Sequence, residues 1–316
     1  MKETGLLLAG AGRMGIEYAR VLSAMNIPFI TVGRGEASAA LFREKTGMIA
    51  LTGGIDRYLS SMNEPPSKAI VAVNVPDLCS TCISLMQHGV TTILLEKPGA
   101  LSPAETENLL ATARERGAMV YIAYNRRFLA TVAEGRRLLA ADGGVTSFHF
   151  EFTEWSDRVE PFDAHPLEKE RWFLSNSSHV ADLAFFIGGK PSSTAVFHYG
   201  SLGWHPSGSA FSGAGTTVEG IPFSYCANWD APGRWGLELM SRNIRVILRP
   251  LEELQLQRRG SVAIEKVAVD DSRDREFKAG LYRMTEEFVT GTARDLCTLG
   301  EQAEMIGLYC RIANYR

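Results

Sequence analysis

Three glycines near the start of the chain have the spacing of a phosphate-binding turn. They belong to residues 10–15 (GAGRMG), which follow the apolar run at residues 6–9 (LLLA) and precede a stretch of helical periodicity. In a G-x-G-x-x-G turn the first glycine permits a tight turn, the second admits a pyrophosphate, and the third lets helix and strand pack closely. The phosphate rests on free N–H groups at the helix start. Because glycines are common in turns, it is the strand–turn–helix context that favours a dinucleotide site over a structural turn.

The end of the second predicted strand, residues 29–32, bears on the choice between NAD and NADP. NAD-preferring domains usually carry Asp or Glu there to hold the adenosine ribose hydroxyls. This chain has Gly33 and Arg34 instead, and its first acid is Glu36. Since an arginine at this position accommodates a 2′-phosphate, we predict NADP in preference to NAD, with a solvated turn arginine as the alternative.

A C-x-x-C pair at Cys79 and Cys82 has the spacing of a redox motif or of half a zinc site. No second pair stands at zinc spacing, and both cysteines fall inside a predicted helix. A structural role is favoured over redox chemistry, and we expect no metal site.

The elements that position the glycine turn alternate between strand and helix. Predicted strands at residues 68–73, 92–95 and 119–123 are nearly continuous apolar runs, as in strands buried on both faces of a parallel sheet. Helices are predicted between them, and the one after Ser102 has an N-cap, a first-turn proline and a capping-box Glu105. Short joins between alternating strands and helices predict a doubly wound parallel sheet, the Rossmann arrangement, over residues 1–123.

The pattern changes near residue 124. After one helix ending near residue 142, long alternating strands are predicted at residues 146–155, 193–199, 223–229, 235–248 and 261–269. Alternation of this kind is typical of an antiparallel sheet with one covered face. Helices are predicted around His179 and, at the end of the chain, over residues 280–290 and 301–315. We therefore predict an α/β protein whose second domain, residues 124–316, is an α+β domain with a large, open, mostly antiparallel sheet.

Bulk properties exclude several classes of protein. The 316 residues suit two domains of ~150 residues each. A net charge of −3 and a pI near 6.1 give no support to nucleic acid or an anionic membrane as a partner. No apolar run reaches the ~18–20 residues that span a bilayer, and no signal-peptide pattern is present. Five cysteines at irregular spacing do not make a disulfide framework. We expect a cytoplasmic protein.

Four stretches in a fixed order resemble the glucose–fructose oxidoreductase/inositol 2-dehydrogenase/MocA family. They are residues 10–15 (GAGRMG), 96–100 (EKPGA), 124–128 (YNRRF) and 175–182 (SNSSHVAD). The resemblance covers essentially the whole chain, and the second and third stretches are much more specific than the glycines. It implies a Rossmann domain followed by an α/β domain whose open sheet makes oligomer contacts, in a dimer or a tetramer. It also implies reversible hydride transfer between a nicotinamide and a hydroxyl-bearing carbon of a sugar, nucleotide sugar or cyclitol.

The resemblance assigns catalytic roles to Lys97 and His179. Lys97 follows a strand at its carboxyl end, where open α/β sheets place their ligands, and its ammonium would stabilise negative charge on the reacting oxygen. Histidine, with an ordinary pKa near 6.5, can accept and return a proton at neutral pH. A solvated loop lysine and a structural histidine are the alternatives. In the family the peptide before Pro98 is often cis.

Other site residues follow from the same match. The cofactor would contact Gly10, Gly12, Arg13, Met14, Gly15, Gly33, Arg34, Asn74, Pro76, Glu96 and Asn125. Substrate contacts would come from Lys97, Tyr124, Arg126, Arg171, Trp172, Ser175 and His179, with residues 157–172 forming a lid over the substrate, or else a scaffold loop.

One position departs from the family pattern. Family dehydrogenases commonly carry Asp four residues before the histidine, whereas this chain has Ser175. A carboxylate would raise the histidine pKa and orient its ring, and a hydroxyl supplies neither. Asp182 shares a helical face with His179 but matches a position that is mainly structural. The leading hypothesis is an NAD(P)-dependent oxidoreductase, and the alternative is a catalytically silent dinucleotide-binding sensor or assembly subunit on the same fold.

Overall fold

The computed structural model describes residues 5–315. Its strands are β1 Leu6–Ala9, β2 Ile30–Val32, β3 Ala50–Leu51, β4 Lys68–Val71, β5 Thr92–Leu95, β6 Met119–Ile122, β7 Ser147–Glu151, β8 Pro191–Tyr199, β9 Ala210–Thr217, β10 Pro222–Asn228, β11 Gly236–Met240, β12 Ile244–Leu248, β13 Leu254–Arg258, β14 Ile264–Lys266 and β15 Cys297–Thr298. Its α-helices are α1 Arg13–Ala24, α2 Glu36–Thr46, α3 Ile55–Ser60, α4 Leu78–Gln87, α5 Pro103–Arg116, α6 Ala130–Ala141, α7 Ser156–Val159, α8 Pro166–Glu170, α9 Ser178–Gly188, α10 Ser272–Glu276, α11 Leu281–Thr290 and α12 Leu299–Ile312.

The first unit contains a seven-stranded sheet in the order β15-β6-β5-β4-β1-β2-β3. Every pairing is parallel except β15 with β6. The chain order reverses between β1 and β4, so this is the switch point at which such sheets bind ligands. Its central strands are buried on both faces, as their continuous apolar runs predicted. The Rossmann sheet predicted from the sequence is confirmed.

The start of α5 shows how the local sequence determines where a helix begins. Ser102 Oγ accepts a hydrogen bond from Glu105 N at 3.2 Å, and Pro103 occupies the first helical turn. The Glu105 carboxylate reaches back to Leu101 N at 2.7 Å. These bonds satisfy N–H groups that have no partner within the helix, so the predicted cap is confirmed.

The second unit contains an eight-stranded sheet in the order β14-β13-β12-β11-β7-β10-β9-β8. Only the pairing of β10 with β7 is parallel among these strands. Buried aromatic side chains of β7, such as Phe148 and Phe150, pack against Phe185 of α9 on one face. On the opposite face β8 exposes Phe197 and Tyr199. The predicted large, mostly antiparallel sheet is confirmed.

Two predicted strands of the second unit were wrong in detail. Residues 235–248 form not one strand but the hairpin β11–β12, because Asp142 accepts hydrogen bonds from Ser241 Oγ and from Asn243 N and Nδ2, which hold a turn between them. Strand structure in residues 261–269 is limited to β14. Strands β9 and β13 were missed, since β9 contains two glycines and β13 has five residues.

The chain divides between residues 123 and 124, where the pattern change was predicted. One unit consists of residues 1–123 and 281–307, and the other of residues 124–280 and 308–316. Residues 281–307 therefore return to the first unit, through α11 against α1 and β15 on the edge of the sheet, which differs from the contiguous second domain of our prediction. Among the described residues, no helix is both long enough and apolar enough to cross a membrane.

Candidate active site

The glycine turn has the geometry that its spacing predicted. Gly10 has φ +115°, and a Cβ there would lie 2.3 Å from the carbonyl oxygen of Ala72. A Cβ on Gly15 would lie 2.1 Å from the carbonyl oxygen of Gly10. A Cβ on Gly12, the N-cap of α1, would meet nothing within 4 Å. Two glycines are therefore required by the backbone itself, while Gly12 leaves open space at a helix N-terminus, which is the cradle that a pyrophosphate needs.

A cleft of about 570 Å³ opens beside this turn. Its walls come from the glycine turn, the carboxyl ends of β2 and β4, the loop after β3, and the first turns of α4. The lining residues are Gly10, Ala11, Gly12, Val32, Gly33, Arg34, Ser38, Gly53, Gly54, Ile55, Asp56, Ala72, Val73, Asn74, Asp77, Ser80, Thr81 and Ser84. Size, position and glycine content fit a dinucleotide.

Five predicted cofactor residues line this cleft: Gly10, Gly12, Gly33, Arg34 and Asn74. Arg13, Met14, Gly15, Pro76 and Glu96 lie in the same unit outside the lining set. Sequence reasoning missed the Gly53–Gly54 pair and the polar residues of α4. The Gly-Gly dipeptide after an apolar segment was a usable signal, while Ser80 and Thr81 lie inside the C-x-x-C segment and carried none.

Arg34 is held at the wall of the cleft by an ion pair. Its Nη2 lies 2.7 Å from Asp77 Oδ2, and the Arg34 side chain remains 68% exposed. The carboxylate of Glu36 accepts a hydrogen bond from Thr52 Oγ1 at 2.7 Å. The guanidinium therefore borders the cleft at the end of β2, and Glu36 is engaged with the loop after β3.

The loop that carries Lys97 is fixed from both sides. Lys97 is half-buried just beyond the end of β5, and the Lys97–Pro98 peptide is cis. Tyr18 of α1 donates a hydrogen bond to Glu96 Oε1 at 2.8 Å, and Gln302 Nε2 donates to Pro98 O at 3.1 Å. Burial, aided by the negative charge of Glu96, raises the Tyr18 pKa well above its ordinary value, so the phenol stays protonated as the donor.

In the second unit His179 lies in the first turn of α9 and is 7% exposed. Its ring contacts Tyr124 edge-on at a centroid distance of 5.7 Å and Trp235 at 6.0 Å. The structure thus brings Tyr124, predicted to border the substrate, against the predicted general base. Trp235 was not predicted, because no motif surrounds it.

Ser175 lies in a π-helical turn, Phe173–Ser177, that leads into α9. Its hydroxyl donates to the carbonyl oxygens of Arg171 at 3.1 Å and Glu168 at 3.2 Å. The hydroxyl is therefore engaged with the backbone of α8 and its end. Asp182 is bound by Arg127, which agrees with the structural role expected for that position.

The remaining predicted contacts have identifiable partners. Asn125 Nδ2 donates to Ala279 O at 2.7 Å. Arg126 pairs with Glu252 at 2.8 Å, and Arg171 stacks on Tyr315 with its Cζ 4.6 Å from the ring centroid. Trp172 is buried, 8% exposed. Residues 157–172 contain α8 and end in this aromatic packing, so both the lid and the scaffold interpretation stay open.

A buried acid that sequence reasoning missed lies close to the histidine helix. Glu154, 2% exposed, accepts hydrogen bonds at Oε1 from Ser177 Oγ at 2.5 Å, Asn176 Nδ2 at 2.9 Å and Trp235 Nε1 at 3.1 Å. Arg234 Nη1 donates to Oε2 at 3.2 Å. Burial raises the Glu154 pKa, and these bonds oppose that shift. A single carboxylate thus ties the end of β7 to the start of α9 and to Trp235.

The cysteine pair does not form a reactive site. Burial raises the Cys79 pKa to about 11 and raises the pKa of the fully buried Cys82 further above its ordinary value. Both therefore remain thiols at neutral pH, and a thiol is a poor nucleophile. Within residues 5–315 no group of three or more His, Cys, Asp or Glu side chains could hold a metal ion.

Comparison with known proteins identifies the first unit. Residues 5–124 match the family model GFO_IDH_MocA, described as an oxidoreductase family with an NAD-binding Rossmann fold. Over these residues the family predicted from the sequence motifs is confirmed, and with it an NAD-binding Rossmann domain of an oxidoreductase family. No curated protein matches the sequence.

Solved structures with the same fold cover nearly the whole chain. UDP-N-acetylglucosamine 3-dehydrogenase from Acidithiobacillus ferrooxidans is 16% identical, with a TM-score of 0.76 over 98% of this chain and 97% of that chain. Levoglucosan dehydrogenase in complex with NADH and L-sorbose is 15% identical, with a TM-score of 0.78 over 97% of this chain and 95% of that chain. A protein described as an NADPH-dependent oxidoreductase from Desulfitobacterium hafniense is 13% identical, with a TM-score of 0.80 over 99% of this chain and 95% of that chain. At such identities the likeness establishes the fold.

Proposed function

Because the first domain of this chain belongs to the GFO_IDH_MocA oxidoreductase family, we propose that the protein is an NAD(P)-dependent dehydrogenase or reductase acting on a CH–OH group. The observation that carries this proposal is the open space at Gly12, on a helix N-terminus beside a cleft of dinucleotide size. The substrate is proposed to be a sugar, nucleotide sugar or cyclitol. Sugar dehydrogenases among the proteins of similar fold support that class.

The chain's own residues supply the proton chemistry. When bound, the nicotinamide provides the acceptor or donor of a hydride. We assign Lys97 the task of donating a hydrogen bond to the substrate oxygen, so that negative charge on that oxygen is stabilised as the carbon loses hydride. His179 takes the hydroxyl proton in the oxidation and returns it in the reduction. Glu96 and Tyr18 hold the Lys97 loop, and Tyr124 and Trp235 orient the imidazole by packing.

We propose NADP as the preferred cofactor. Arg34 borders the cleft after β2 with most of its side chain exposed, and Asp77 holds its guanidinium in place. A guanidinium has five N–H donors, so the single bond to Asp77 leaves others for a 2′-phosphate. The acid that NAD-preferring sites place here is absent from residues 33–35, and Glu36 is bonded to Thr52.

Ser175 favours a second candidate, a dinucleotide-binding protein without catalysis. A carboxylate four residues before the histidine is common in the family dehydrogenases, and here the position carries a hydroxyl bonded to backbone carbonyls. Such a protein would serve as a sensor or assembly subunit. A dimer or tetramer formed through the open sheet of the second unit, and a cytoplasmic location, stay predictions.

The decisive experiment separates binding from turnover. Nucleotide binding is measured by fluorescence of NADPH and NADH, and turnover by absorbance of the nicotinamide with a panel of sugars, nucleotide sugars and cyclitols. The enzyme proposal expects turnover with at least one panel member and a fall of about 10²- to 10⁴-fold in kcat for His179→Asn. Tight nucleotide binding with no turnover on any substrate would favour the silent protein instead.

A further inference from the structure

Two arginines and His179 surround the same tryptophan ring in the second unit. The Cζ atom of Arg234 lies 4.8 Å from the centroid of Trp235, and that of Arg126 lies 6.0 Å from it. The His179 ring packs on Trp235 at 6.0 Å. We propose that Arg126 and Arg234 bind an anionic substituent of the substrate, a carboxylate or a phosphate. The inference rests on the proposed function and narrows its substrate class from sugars in general to acidic sugars.

Arg234 is oriented as a recognition group. Its guanidinium contacts two indole rings, with the Cζ atom 4.9 Å from the centroid of Trp155 and 4.8 Å from that of Trp235. Trp155 is itself held by a hydrogen bond from its Nε1 to Gly233 O at 2.7 Å. The Arg234 side chain is nevertheless 43% exposed. Contact with both rings restricts the side chain before a ligand arrives, which lowers the entropy lost on binding.

Arg126 presents a buried donor that protein groups do not satisfy. Its side chain is 18% exposed and its Nη1 bonds Glu252 Oε1 at 2.8 Å. Within residues 5–315 its Nε is buried without a hydrogen-bond partner. A buried polar group of this kind calls for a ligand or a water, because leaving it unpaired is costly.

The charges around the two arginines leave room for an anion. Within residues 5–315 Arg234 forms its ion pair with Glu154, whose Oε1 already accepts bonds from Asn176, Ser177 and Trp235. Burial raises the Glu154 pKa, so this carboxyl group ionises less readily than an exposed one. Burial lowers the Arg126 pKa, and repulsion from Arg234 lowers it further, whereas attraction by Glu252 and Asp274 raises it. An anion bound by both guanidinium groups would relieve that repulsion.

Guanidinium geometry distinguishes an anion from a sugar hydroxyl. The planar fork of N–H groups matches the paired oxygens of a carboxylate or phosphate, and charge-assisted bonds are about twice as strong as neutral ones. A hydroxyl would use one donor and leave the repulsion between the arginines in place. Two arginines beside the assigned general base therefore fit a sugar acid or sugar phosphate better than a neutral sugar.

Binding calorimetry on the full chain tests the inference without requiring turnover. The probes are D-glucuronate, D-glucose 6-phosphate and D-glucose, which share a ring and differ in the charged group. We expect at least one anion to bind about tenfold or more tightly than D-glucose, as charge-assisted hydrogen bonds predict. Comparison of the two anions tells a carboxylate from a phosphate.

Three variants show whether the preference resides in Arg234. Arg234→Gln should abolish the preference for the anion with little effect on D-glucose, and Arg234→Lys, which keeps the charge, should retain part of it. Arg137→Gln is the control, since Arg137 is an exposed arginine of α6 paired with Glu134. Thermal unfolding midpoints of all three verify folding.

Any of three results would overturn the inference. The three probes bind with equal affinity, or neither anion binds. Alternatively, Arg234→Gln lowers the affinity for D-glucose as much as the affinity for the anion. The proposed function fails by a different result, namely nucleotide binding without hydride transfer to any substrate.

Discussion

Arg127 and Asp182 form a buried bidentate ion pair. Arg127 Nε donates to Asp182 Oδ2 at 2.8 Å and Nη2 donates to Oδ1 at 2.6 Å, with side chains 6% and 4% exposed. The Arg127 guanidinium also stacks on Phe186, with the Cζ atom 4.4 Å from the ring centroid. The pair joins the segment after residue 124 to helix α9, three residues beyond His179. It thereby anchors the helix that carries the assigned general base.

Asp182→Asn should destabilise the protein by about 3–5 kcal/mol, because removing one partner leaves an uncompensated buried charge on Arg127. Urea unfolding monitored by circular dichroism measures the change. Asp157→Asn is a matched control, since Asp157 and its neighbour Arg158 are both 80% exposed, and it should change stability by less than about 0.5 kcal/mol. Equal effects of the two variants would contradict an anchoring role.

Arg34→Gln should weaken NADPH binding by about tenfold or more and leave NADH binding nearly unchanged, because only NADPH carries the 2′-phosphate that the guanidinium would bond. Dissociation constants for both nucleotides come from fluorescence titration. Asp77→Asn, which frees Arg34 from its ion pair, should tighten NADPH binding. Tighter binding of NADH than of NADPH by the unaltered protein would argue against the NADP assignment.

Lys97→Ala should lower kcat by about 10²- to 10³-fold, the usual loss when one donor to a developing oxyanion is removed. Nucleotide affinity should stay within a few-fold, since the cleft beside the glycine turn is not lined by Lys97. Steady-state kinetics with the best substrate of the panel gives kcat, and titration gives the affinity. Lys45→Ala, at an exposed lysine of α2, serves as the control. Unchanged kcat in Lys97→Ala would remove Lys97 from the mechanism.

Glu154 should make stability depend on pH with a definite sign. Its pKa is raised in the folded state from an ordinary 4.5, so the folded protein binds this proton more readily than the unfolded chain. The contribution of Glu154 to the free energy of unfolding is therefore fully present below about pH 4.5. It is lost as the pH rises through the pKa of the folded state. Urea unfolding between pH 4.5 and neutrality should show the stability of the unaltered protein falling relative to Glu154→Gln.

Asp142→Asn provides the comparison of opposite sign. Hydrogen bonds from Ser241 and Asn243 lower the Asp142 pKa from 3.8 to about 2. The contribution of Asp142 is thus present above pH 3.8 and is lost as the pH falls toward about 2. Parallel pH profiles for the unaltered protein and Glu154→Gln would show that Glu154 does not titrate as its burial implies.

Much of the architecture followed from local patterns in the sequence. Continuous apolar runs identified the parallel strands, and the Ser102–Glu105 cap identified the start of α5, because periodicity and capping depend on neighbouring residues alone. The glycine spacing identified the turn, since the required backbone conformation excludes a Cβ at Gly10. The hairpin β11–β12 was missed because its turn is stabilised by Asp142, which is distant in sequence.

The surroundings of His179 were decided by tertiary structure. Glu154, Arg234 and Trp235 belong to no motif. Trp235 reaches His179, and Glu154 bonds both Trp235 and Arg234, because β7 and β11 pack beside α9. The sequence by itself determined the fold class, the glycine turn and the identity of Lys97 and His179 as candidates. Packing between distant segments decided which groups contact His179 and paired Asp182 with Arg127. No local spacing in the sequence encodes such contacts.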